Sequence, residues 1–276
     1  MCKACTGGRG LDGGGRPDSG NGRGRSIAST IRSGARRKTF AVDIDGTITE
    51  NGGGRIHLNA LGALRRLVSD GHRVVFVTGR SSVEGFVLSV FGGTTPISVG
   101  ENGGCITTGP DTHIMLGNRA ECQGAFDAIA QEMPDARLKP VFPRMTEVVM
   151  ERTVDLGEAR RLLSRRGIGV RLSDSQYAYH INSPGIDKGT GFGHVARMLS
   201  LRKDDIVAIG DSATDIPLFR AAGTSVALGN ALEDVKSEAT MTVRSGAGDG
   251  VLEALDVLAP RLAQGAAPAS TGRRCR

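Results

Sequence analysis

The feature that most constrains this chain is a compact apolar run over residues 39–43 that leads into the motif D-I-D-G-T at residues 43–47. A short apolar run of this kind predicts a buried strand of a parallel sheet. Because the strand ends in a glycine turn, Asp43 and Asp45 are expected to project at the carboxyl edge of the sheet, where open α/β folds bind ligands. Two acids buried so close together repel each other unless a cation neutralises them or one is protonated. A surface turn with incidental acids is the alternative, and the preceding apolar strand argues against it.

The body of the chain alternates between short apolar runs and amphipathic stretches with helical spacing, which predicts a doubly wound parallel α/β sheet of Rossmann-like type. Between residues 110 and 183 the pattern changes to helices and strands typical of an α+β insert. We therefore expect an α/β core interrupted by an α+β domain. The predicted parts are a core at 38–109 and 184–262, an inserted domain at 110–183, and disordered segments at 1–37 and 263–276.

The basic character of the chain belongs to its two ends. Residues 1–38 carry nine Lys or Arg against two Asp, and the last eleven residues add three Arg, so with a net charge of +6 the body is mildly acidic. Residues 1–37 also contain ten Gly and little apolar periodicity, which predicts a disordered basic extension. Charge alone supports only salt-sensitive, non-specific nucleic-acid binding, and a chain without Trp offers little for base stacking. Nucleic acid is therefore not the expected partner; binding through this extension remains an alternative of a different class.

The cysteines and the apolar runs bear on location. Cys2 and Cys5 have the spacing of half a zinc site, but no second pair follows, so free thiols in a reducing compartment are the simpler interpretation. No run approaches the roughly 18 apolar residues that a membrane helix needs, and the N-terminus lacks the apolar segment of a secretory signal. We expect a cytoplasmic protein without a membrane partner.

Two further motifs predict a phosphate site. The apolar run 74–77 ends in Thr78 and Gly79, whose hydroxyl and backbone amide can donate to a phosphate. The motif G-I-D-K-G at 185–189 opens a helix after the insert, and Lys188 supplies a compact positive charge suited to a phosphate and to acids. Taken singly, an ordinary strand-to-helix turn and a solvated lysine would explain these residues equally well.

The fourth motif predicts a metal site. The apolar run 207–209 leads into Gly210 and then into Asp211 and Asp215. Carboxylate oxygens without nearby His or Cys suit Mg²⁺ rather than zinc. Together with Asp43 and Asp45, these acids are expected to form an oxygen-ligand site at the ends of neighbouring strands.

The order D-x-D-G-T, T-G-R, Lys and G-D-S-x-x-D resembles the haloacid dehalogenase superfamily of phosphatases over about residues 39–258. The insert lies between the second and third motifs, as in the class of that superfamily with an α/β cap. The stretches G-E-N-G-G at 100–104 and V-A-L-G-N-A at 226–231 are also similar to that class.

The resemblance implies a role for each motif residue. Asp43 would be the nucleophile that forms an aspartyl phosphate, and Asp45 the general acid and then base. Mg²⁺ would be held by Asp43, the backbone carbonyl of Asp45, Asp211 and Asp215. Thr78, Gly79 and Lys188 would bind the substrate's phosphoryl oxygens.

Within the superfamily the chain resembles the archaeal-type phosphoglycolate phosphatases, through the compact insert, R-M-T-E-V at 144–148 and G-D-S-A-T-D-I-P-L-F at 210–219. That resemblance implies hydrolysis of 2-phosphoglycolate, a small phosphorylated metabolite, to glycolate and phosphate. A sugar-phosphate phosphatase of the sucrose-phosphate or mannosyl-3-phosphoglycerate type remains the alternative. Arg144, Tyr177 and His180 are candidates for contacting a substrate carboxylate, although a solvated charge or strand packing would explain them as well. A homodimer is a further expectation, to which no particular residue of the sequence points.

Overall fold

The computed structural model describes residues 37–50 and 54–264. The expectations for residues 1–36 and 265–276, including the Cys2–Cys5 pair, lie outside the described residues. The strands are β1 (Thr39–Val42), β2 (Arg73–Val77), β3 (Ser98–Gly100), β4 (Cys105–Gly109), β5 (Thr112–Met115), β6 (Val148–Met150), β7 (Arg171–Asp174), β8 (Tyr179–Asn182), β9 (Ile206–Gly210), β10 (Thr224–Ala227) and β11 (Met241–Thr242). The helices are α1 (Leu58–Ser69), α2 (Ser82–Gly92), α3 (Arg119–Glu132), α4 (Leu156–Arg165), α5 (Lys188–Met198), α6 (Ile216–Ala221), α7 (Glu233–Ser237) and α8 (Ala247–Gln264).

The main sheet has eight strands in the order β11-β10-β9-β1-β2-β3-β4-β5, and β1 lies at its centre between β9 and β2. Both neighbours run parallel to β1. Phe40 and Val42 face one hydrophobic layer and Ala41 faces the other, so β1 is buried on both sides. This burial explains why the first motif follows an unbroken apolar run instead of an alternating one.

Helices cover both faces of the sheet, as the doubly wound prediction required. Leu64 of α1 and Val251 of α8 pack on one face, whereas Phe192 of α5 and Leu218 of α6 pack on the other. Helix α2 begins at an N-cap serine, Ser81, which forms a reciprocal capping box with Glu84. The α/β fold class is therefore confirmed.

The sheet differs from a purely parallel one at one edge. Strands β4 and β5 form an antiparallel hairpin that extends the sheet beyond β3. Strand β5 falls inside the 110–183 range expected for the insert, yet it pairs with the main sheet through Ile106 opposite Ile114. The short G-P-D turn at residues 109–111 allows this return, because antiparallel neighbours need only a tight loop.

The insert contains a separate antiparallel sheet in the order β6-β8-β7. Helices α3 and α4 share its hydrophobic cluster, in which Ile129, Leu162 and Ile181 are buried. At the other end of the chain, α8 continues to Gln264, two residues into the range expected for the C-terminal tail. Within 37–50 and 54–264, no helix combines the length and the apolarity needed to cross a bilayer.

Candidate active site

Three motif residues lie at one edge of the sheet because they follow three adjacent strands. Asp43 follows β1, Thr78 follows β2 and Asp211 follows β9. The backbone N–H of Asp43 donates to the carbonyl of Ile209 over 3.0 Å, which continues the parallel ladder one residue beyond the strand. The carboxyl ends of parallel strands share one edge of the sheet, so these three residues lie at that edge, where carboxylate oxygens of Asp43 and Asp211 come within 4.8 Å of each other.

The turn of the first motif fits closely against Asp211. Gly46 has φ of +76°, and a Cβ at this position would overlap the carboxylate of Asp211, so only glycine fits. Thr47 Oγ1 donates to Asp211 Oδ1 over 2.9 Å. Asn230 Nδ2 donates to Asp211 Oδ2 over 2.8 Å and to the Gly46 carbonyl over 3.0 Å. The motif reasoning did not assign Asn230 to the site, although it lies in the V-A-L-G-N-A stretch that supported the resemblance.

Lys188 links two of the predicted metal ligands. It is the first residue of α5, and its side chain is only 2% exposed. Its Nζ donates to Asp43 Oδ1 over 2.8 Å and to Asp215 Oδ1 over 2.7 Å. The fully buried Asp215 also accepts hydrogen bonds on Oδ2 from Ser212 and from the backbone of Asp211. The first, third and fourth motifs are therefore joined by direct contacts.

The electrostatics of this cluster favour a cation. Carboxylate oxygens of Asp43, Asp211 and Asp215 all lie within 4.8 Å of one another. Burial, together with the charge of Asp215, raises the pKa of Asp43 well above its usual range and that of Asp211 to about 6. Burial alone would lower the pKa of Lys188, but the carboxylates of Asp215 and Asp43 raise it overall. Three carboxylates face one ammonium, and an all-oxygen donor set with excess negative charge fits a hard divalent cation.

Asp45 lies in a different environment from Asp43. Its side chain is 49% exposed and stands outside the group of three clustered acids. Arg80 holds it through two hydrogen bonds of 2.7 Å each and also donates to Glu84 over 3.1 Å. The hydrogen bonds to Asp45 outweigh burial and raise the pKa of Arg80. The two acids of the first motif are thus separated into a buried one and an accessible one, an arrangement that allows them different roles in one reaction.

The second motif is ordered around Thr78. Its side chain is fully buried, and its Oγ1 accepts a hydrogen bond from the backbone N–H of Arg80 over 3.0 Å. A hydroxyl that accepts one hydrogen bond still has its own proton to donate. The carbonyl of Gly79 accepts a hydrogen bond from Arg144 Nη1 over 3.1 Å, which brings an arginine of the insert directly onto this motif.

The turn at residues 101–103 connects the core to the insert. Glu101 and Asn102 both have left-handed φ, at 55° and 52°, a conformation that costs free energy in non-glycine residues. The fully buried carboxylate of Glu101 accepts from the backbone N–H groups of three consecutive insert residues, 145–147, and from the Thr146 hydroxyl. A Cβ on Gly103 would overlap the carbonyl of Asp187. The turn therefore packs between the insert and the start of the helix that carries Lys188.

The three candidates for contacting a carboxylate have different positions. His180 is buried, with Nδ1 lying 3.1 Å from Glu147 Oε2 and Nε2 3.1 Å from Ser175 Oγ, so both ring nitrogens are engaged. Tyr177 is 68% exposed, with Lys139 Nζ 4.1 Å from its ring centroid. Of the three, Arg144 hydrogen-bonds to a residue of the four motifs, through the carbonyl of Gly79.

A doubly wound core with clustered carboxylates and a buried lysine at its carboxyl edge is typical of the α/β enzymes that transfer phosphoryl groups. The chain belongs to the haloacid dehalogenase-like hydrolase family, whose model matches residues 40–134 and 154–255. The recognition made from the four motifs is confirmed.

Relatives and solved structures extend this result. The chain is 68% identical over 229 residues to a phosphoglycolate phosphatase of Nitrosopumilus maritimus, covering 83% of this chain and 99% of the relative. It is 37% identical over 222 residues to one of Methanosarcina mazei, covering 80% and 96%. The fold is similar to Thermoplasma acidophilum 0175, with a TM-score of 0.73 at 20% identity over 82% of this chain and 99% of the other. The HAD subclass IIB sugar phosphatase BT4131 gives a TM-score of 0.66 at 18% identity, covering 80% and 98%.

Proposed function

We propose that this protein is a Mg²⁺-dependent phosphatase that hydrolyses 2-phosphoglycolate to glycolate and phosphate through an aspartyl phosphate on Asp43. The observation that supports the chemistry is the buried contact of Lys188 with both Asp43 and Asp215, the residues proposed as the nucleophile and as a metal ligand. The observation that favours this substrate is the 68% identity to a relative of that name across nearly the whole relative.

The reaction proceeds in two displacements at phosphorus. A carboxylate oxygen of Asp43 attacks the phosphorus, and the bond from phosphorus to the glycolate oxygen breaks. Asp45 gives a proton to the departing alkoxide and afterwards takes one from the attacking water. That water displaces Asp43 from phosphorus, which releases phosphate and restores the carboxylate. Asp45 suits the proton transfers because it is partly exposed, whereas Asp43 is buried beside Lys188.

The remaining motif residues bind charge. In this proposal Lys188, the Thr78 hydroxyl and the backbone amide of Gly79 bind the oxygens of the transferring phosphoryl group. Asp43, Asp211, Asp215 and the backbone carbonyl of Asp45 would hold Mg²⁺. When bound, the ion neutralises the clustered carboxylates and the charge that develops on the phosphoryl oxygens.

We assign the insert as a cap over residues 118–183. Its entry and exit are joined by a hydrogen bond of 2.8 Å from the backbone N–H of Asn118 to Ser183 Oγ. Strand β5 ends at Met115 and is part of the core sheet, which favours a boundary later than residue 110. The core then comprises the segments on either side, and the cap carries Arg144 toward Gly79.

Adding Mg²⁺ is expected to raise the melting temperature more at pH 7 than at pH 5. The pKa of Asp211 is raised to about 6 and that of Asp43 is also raised, so protons compete with the cation at the lower pH. In metal-free protein Asp211 holds its proton more tightly when folded, so its contribution to stability falls as pH rises from about 4 through about 6. Differential scanning calorimetry with and without Mg²⁺ measures the difference. An Asp211→Asn variant should show a smaller shift, and a shift in the parent protein that is equal at both pH values would contradict the metal assignment.

The substrate is tested by phosphate release from a panel that contains 2-phosphoglycolate, sucrose 6-phosphate, mannosyl-3-phosphoglycerate and mononucleotides. We expect 2-phosphoglycolate to lead by at least a hundredfold in kcat/KM, a difference of about 3 kcal/mol in transition-state stabilisation. EDTA should stop the reaction, and Mg²⁺ should restore it better than Ca²⁺, whose looser coordination positions the nucleophile poorly. Comparable rates with several sugar phosphates would replace the proposed substrate with the sugar-phosphate alternative while leaving the chemistry in place.

We also propose a cytoplasmic location, which agrees with a metabolic phosphatase, and a homodimer, which sedimentation at several protein concentrations tests.

Deleting residues 1–37 distinguishes the enzyme from the alternative of a nucleic-acid-binding protein. Phosphate release that survives the deletion, with loss of any nucleic-acid affinity, would make the extension an accessory.

A further inference from the structure

Arg144 is a buried arginine of the cap that reaches the core. Its side chain is 8% exposed and lies between Gly79, in the second motif, and Glu147. Gly79 directly follows Thr78, which the proposed function assigns to the phosphoryl group. The guanidinium of Arg144 is therefore hydrogen-bonded to the backbone of the residue next to the one assigned to the phosphate.

The hydrogen-bond donors of Arg144 are unevenly used. Two polar contacts of Arg144 are made by the same nitrogen, Nη1, which lies 3.1 Å from the Gly79 carbonyl oxygen and 3.5 Å from Glu147 Oε1. Nε is buried and has no hydrogen-bond partner within residues 37–50 and 54–264. A buried donor without an acceptor is unfavourable, so the environment of this guanidinium is incomplete in the free protein.

The unused donors form a fork. In a guanidinium, the N–H of Nε and one N–H of Nη2 point in the same direction and match the two oxygens of a carboxylate. Because Nη1 donates to the Gly79 carbonyl, the backbone of the second motif holds the group, while Nε and Nη2 make no hydrogen bond to any residue that the structure describes. Lysine offers no equivalent pair of donors in a plane.

The acids at this interface are matched except at one oxygen: Glu147 Oε1, which lies 3.5 Å from Arg144 Nη1, is buried without a hydrogen-bond partner among the described residues. Glu101 is satisfied by donors of residues 145–147. Oε2 of Glu147 accepts from Asn102 Nδ2 over 3.3 Å and Asn182 Nδ2 over 3.1 Å, and lies 3.1 Å from His180 Nδ1. These acids are held by fixed neighbours, and Glu147 approaches Arg144 only on the Nη1 side. The Nε and Nη2 side of Arg144 therefore lacks an acceptor, and the nearby acid Glu147 approaches the other side of the group.

We propose that Arg144 binds the carboxylate of the substrate through Nε and Nη2, and that this contact selects phosphate esters of small hydroxy acids over uncharged phosphate esters. The proposal rests on the proposed function, because it takes the phosphoryl group to lie at Thr78 and Lys188. It adds Arg144 as the cap residue that binds the carboxylate at the end of the substrate opposite the phosphoryl group. A two-carbon hydroxy acid is short enough for the phosphoryl group and the carboxylate to be bound at adjacent motif residues.

The test compares matched substrates that differ only at the carboxylate: 2-phosphoglycolate against ethyl phosphate, and 3-phosphoglycerate against glycerol 3-phosphate. For each pair the ratio of kcat/KM is measured in the parent protein, Arg144→Gln and Arg144→Lys. In the pair whose carboxylated ester the parent protein prefers, we expect Arg144→Gln to lower the kcat/KM ratio of the carboxylated to the uncharged ester by about ten- to a hundredfold, the range for hydrogen bonds to charged groups. Most of this change should come from a higher KM for the carboxylated ester. Arg144→Lys should recover only part of the ratio, because it restores the charge without the fork.

Arg152→Gln is the matched control. Arg152 is another cap arginine, 45% exposed and paired with Asp174 over 2.9 Å on the surface, so its replacement should leave both ratios unchanged. Turnover of ethyl phosphate reports whether each variant has a folded active site. Equal losses of Arg144→Gln on both members of a pair, or no loss on either, would overturn the proposal. A parent protein that prefers neither carboxylated ester would overturn it as well.

The two proposals fail differently. If the parent protein prefers 3-phosphoglycerate and Arg144→Gln removes that preference, the role of Arg144 stands and only the assigned substrate is wrong. If the parent protein prefers 2-phosphoglycolate and Arg144→Gln keeps the preference, the assigned substrate stands and Arg144 does not bind its carboxylate.

Discussion

Replacing Asp43 with asparagine is expected to lower kcat for phosphate release by at least about a thousandfold, the scale on which enzymes lose activity with their nucleophile. The amide keeps the shape of the side chain and can still accept a hydrogen bond from Lys188, but it does not attack phosphorus as a carboxylate does. Steady-state phosphate release with 2-phosphoglycolate and Mg²⁺ measures the effect. Activity within tenfold of the parent protein would remove Asp43 from the role of nucleophile.

The same substitution is expected to leave the melting temperature unchanged or to raise it. Burial and the charge of Asp215 raise the pKa of Asp43, which means that the folded protein disfavours its ionised form. A neutral amide relieves that repulsion, as substitutions at strained active sites often do. Asp111→Asn, at an exposed turn residue of the β4–β5 hairpin, is the matched control and should change neither activity nor stability. Loss of folding in Asp43→Asn would show that the carboxylate is needed for structure.

Replacing Lys188 with methionine is expected to cost about 3–5 kcal/mol of unfolding free energy in metal-free buffer, the range for breaking a buried ion pair. The substitution leaves Asp43 and Asp215 buried without the ammonium that now contacts both over 2.8 and 2.7 Å. It should also lower kcat by about a hundredfold or more, because a preorganised positive charge at the phosphoryl group is lost. Urea unfolding followed by circular dichroism, together with phosphate release, measures the two effects.

Lys236→Met provides the comparison for Lys188→Met. Lys236 pairs with Glu233 on α7, and Glu233 is 89% exposed, so this pair should contribute little to stability. Added Mg²⁺ should recover part of the stability of Lys188→Met, because the cation also neutralises the clustered acids. A variant within about 1 kcal/mol of the parent protein would indicate that Lys188 does not balance the buried carboxylates.

The parts of the site that follow from local sequence were predictable. An apolar run that ends in D-I-D-G-T or G-D-S identifies a strand buried on both faces and places its acids at one edge of the sheet. Lys188 was predictable from its position at the start of a helix after the insert. In each case the pattern lies within about ten consecutive residues, and the geometry of parallel sheets brings the ends of neighbouring strands to one edge.

The contacts that depend on distant residues were not predictable. Arg80 was read only as part of the T-G-R motif, and nothing near it in sequence indicates a pairing with Asp45, thirty-five positions away. The hydrogen bonds from residues 145–147 to Glu101, and from Asn230 to Asp211, were likewise not predictable, because they depend on how separate loops pack. The β4–β5 hairpin was missed for another reason. Its strands are short, so their periodicity could not separate an edge of the core sheet from the start of the insert.

In the proposed mechanism, the different surroundings of Asp43 and Asp45 give the two acids of one short motif different chemical roles. Asp43 lies in the buried cluster with Lys188, whereas Asp45 is accessible and held by Arg80. Proton transfer to and from Asp45 then requires only that the carboxylate leave Arg80 for the substrate. The buried turn at residues 101–103 connects this site to the cap through Glu101, so the cap and the start of α5 share one fixed element.

The measurement that tests the central claim most directly is mass spectrometry of the chain after rapid acid quenching during turnover of 2-phosphoglycolate with Mg²⁺. The account predicts one phosphoryl group on the peptide that contains Asp43, absent without substrate and absent from Asp43→Asn. A phosphoryl group on another residue, or ongoing phosphate release in a protein whose Asp43 peptide stays unmodified at every quench time, would contradict an aspartyl phosphate at Asp43.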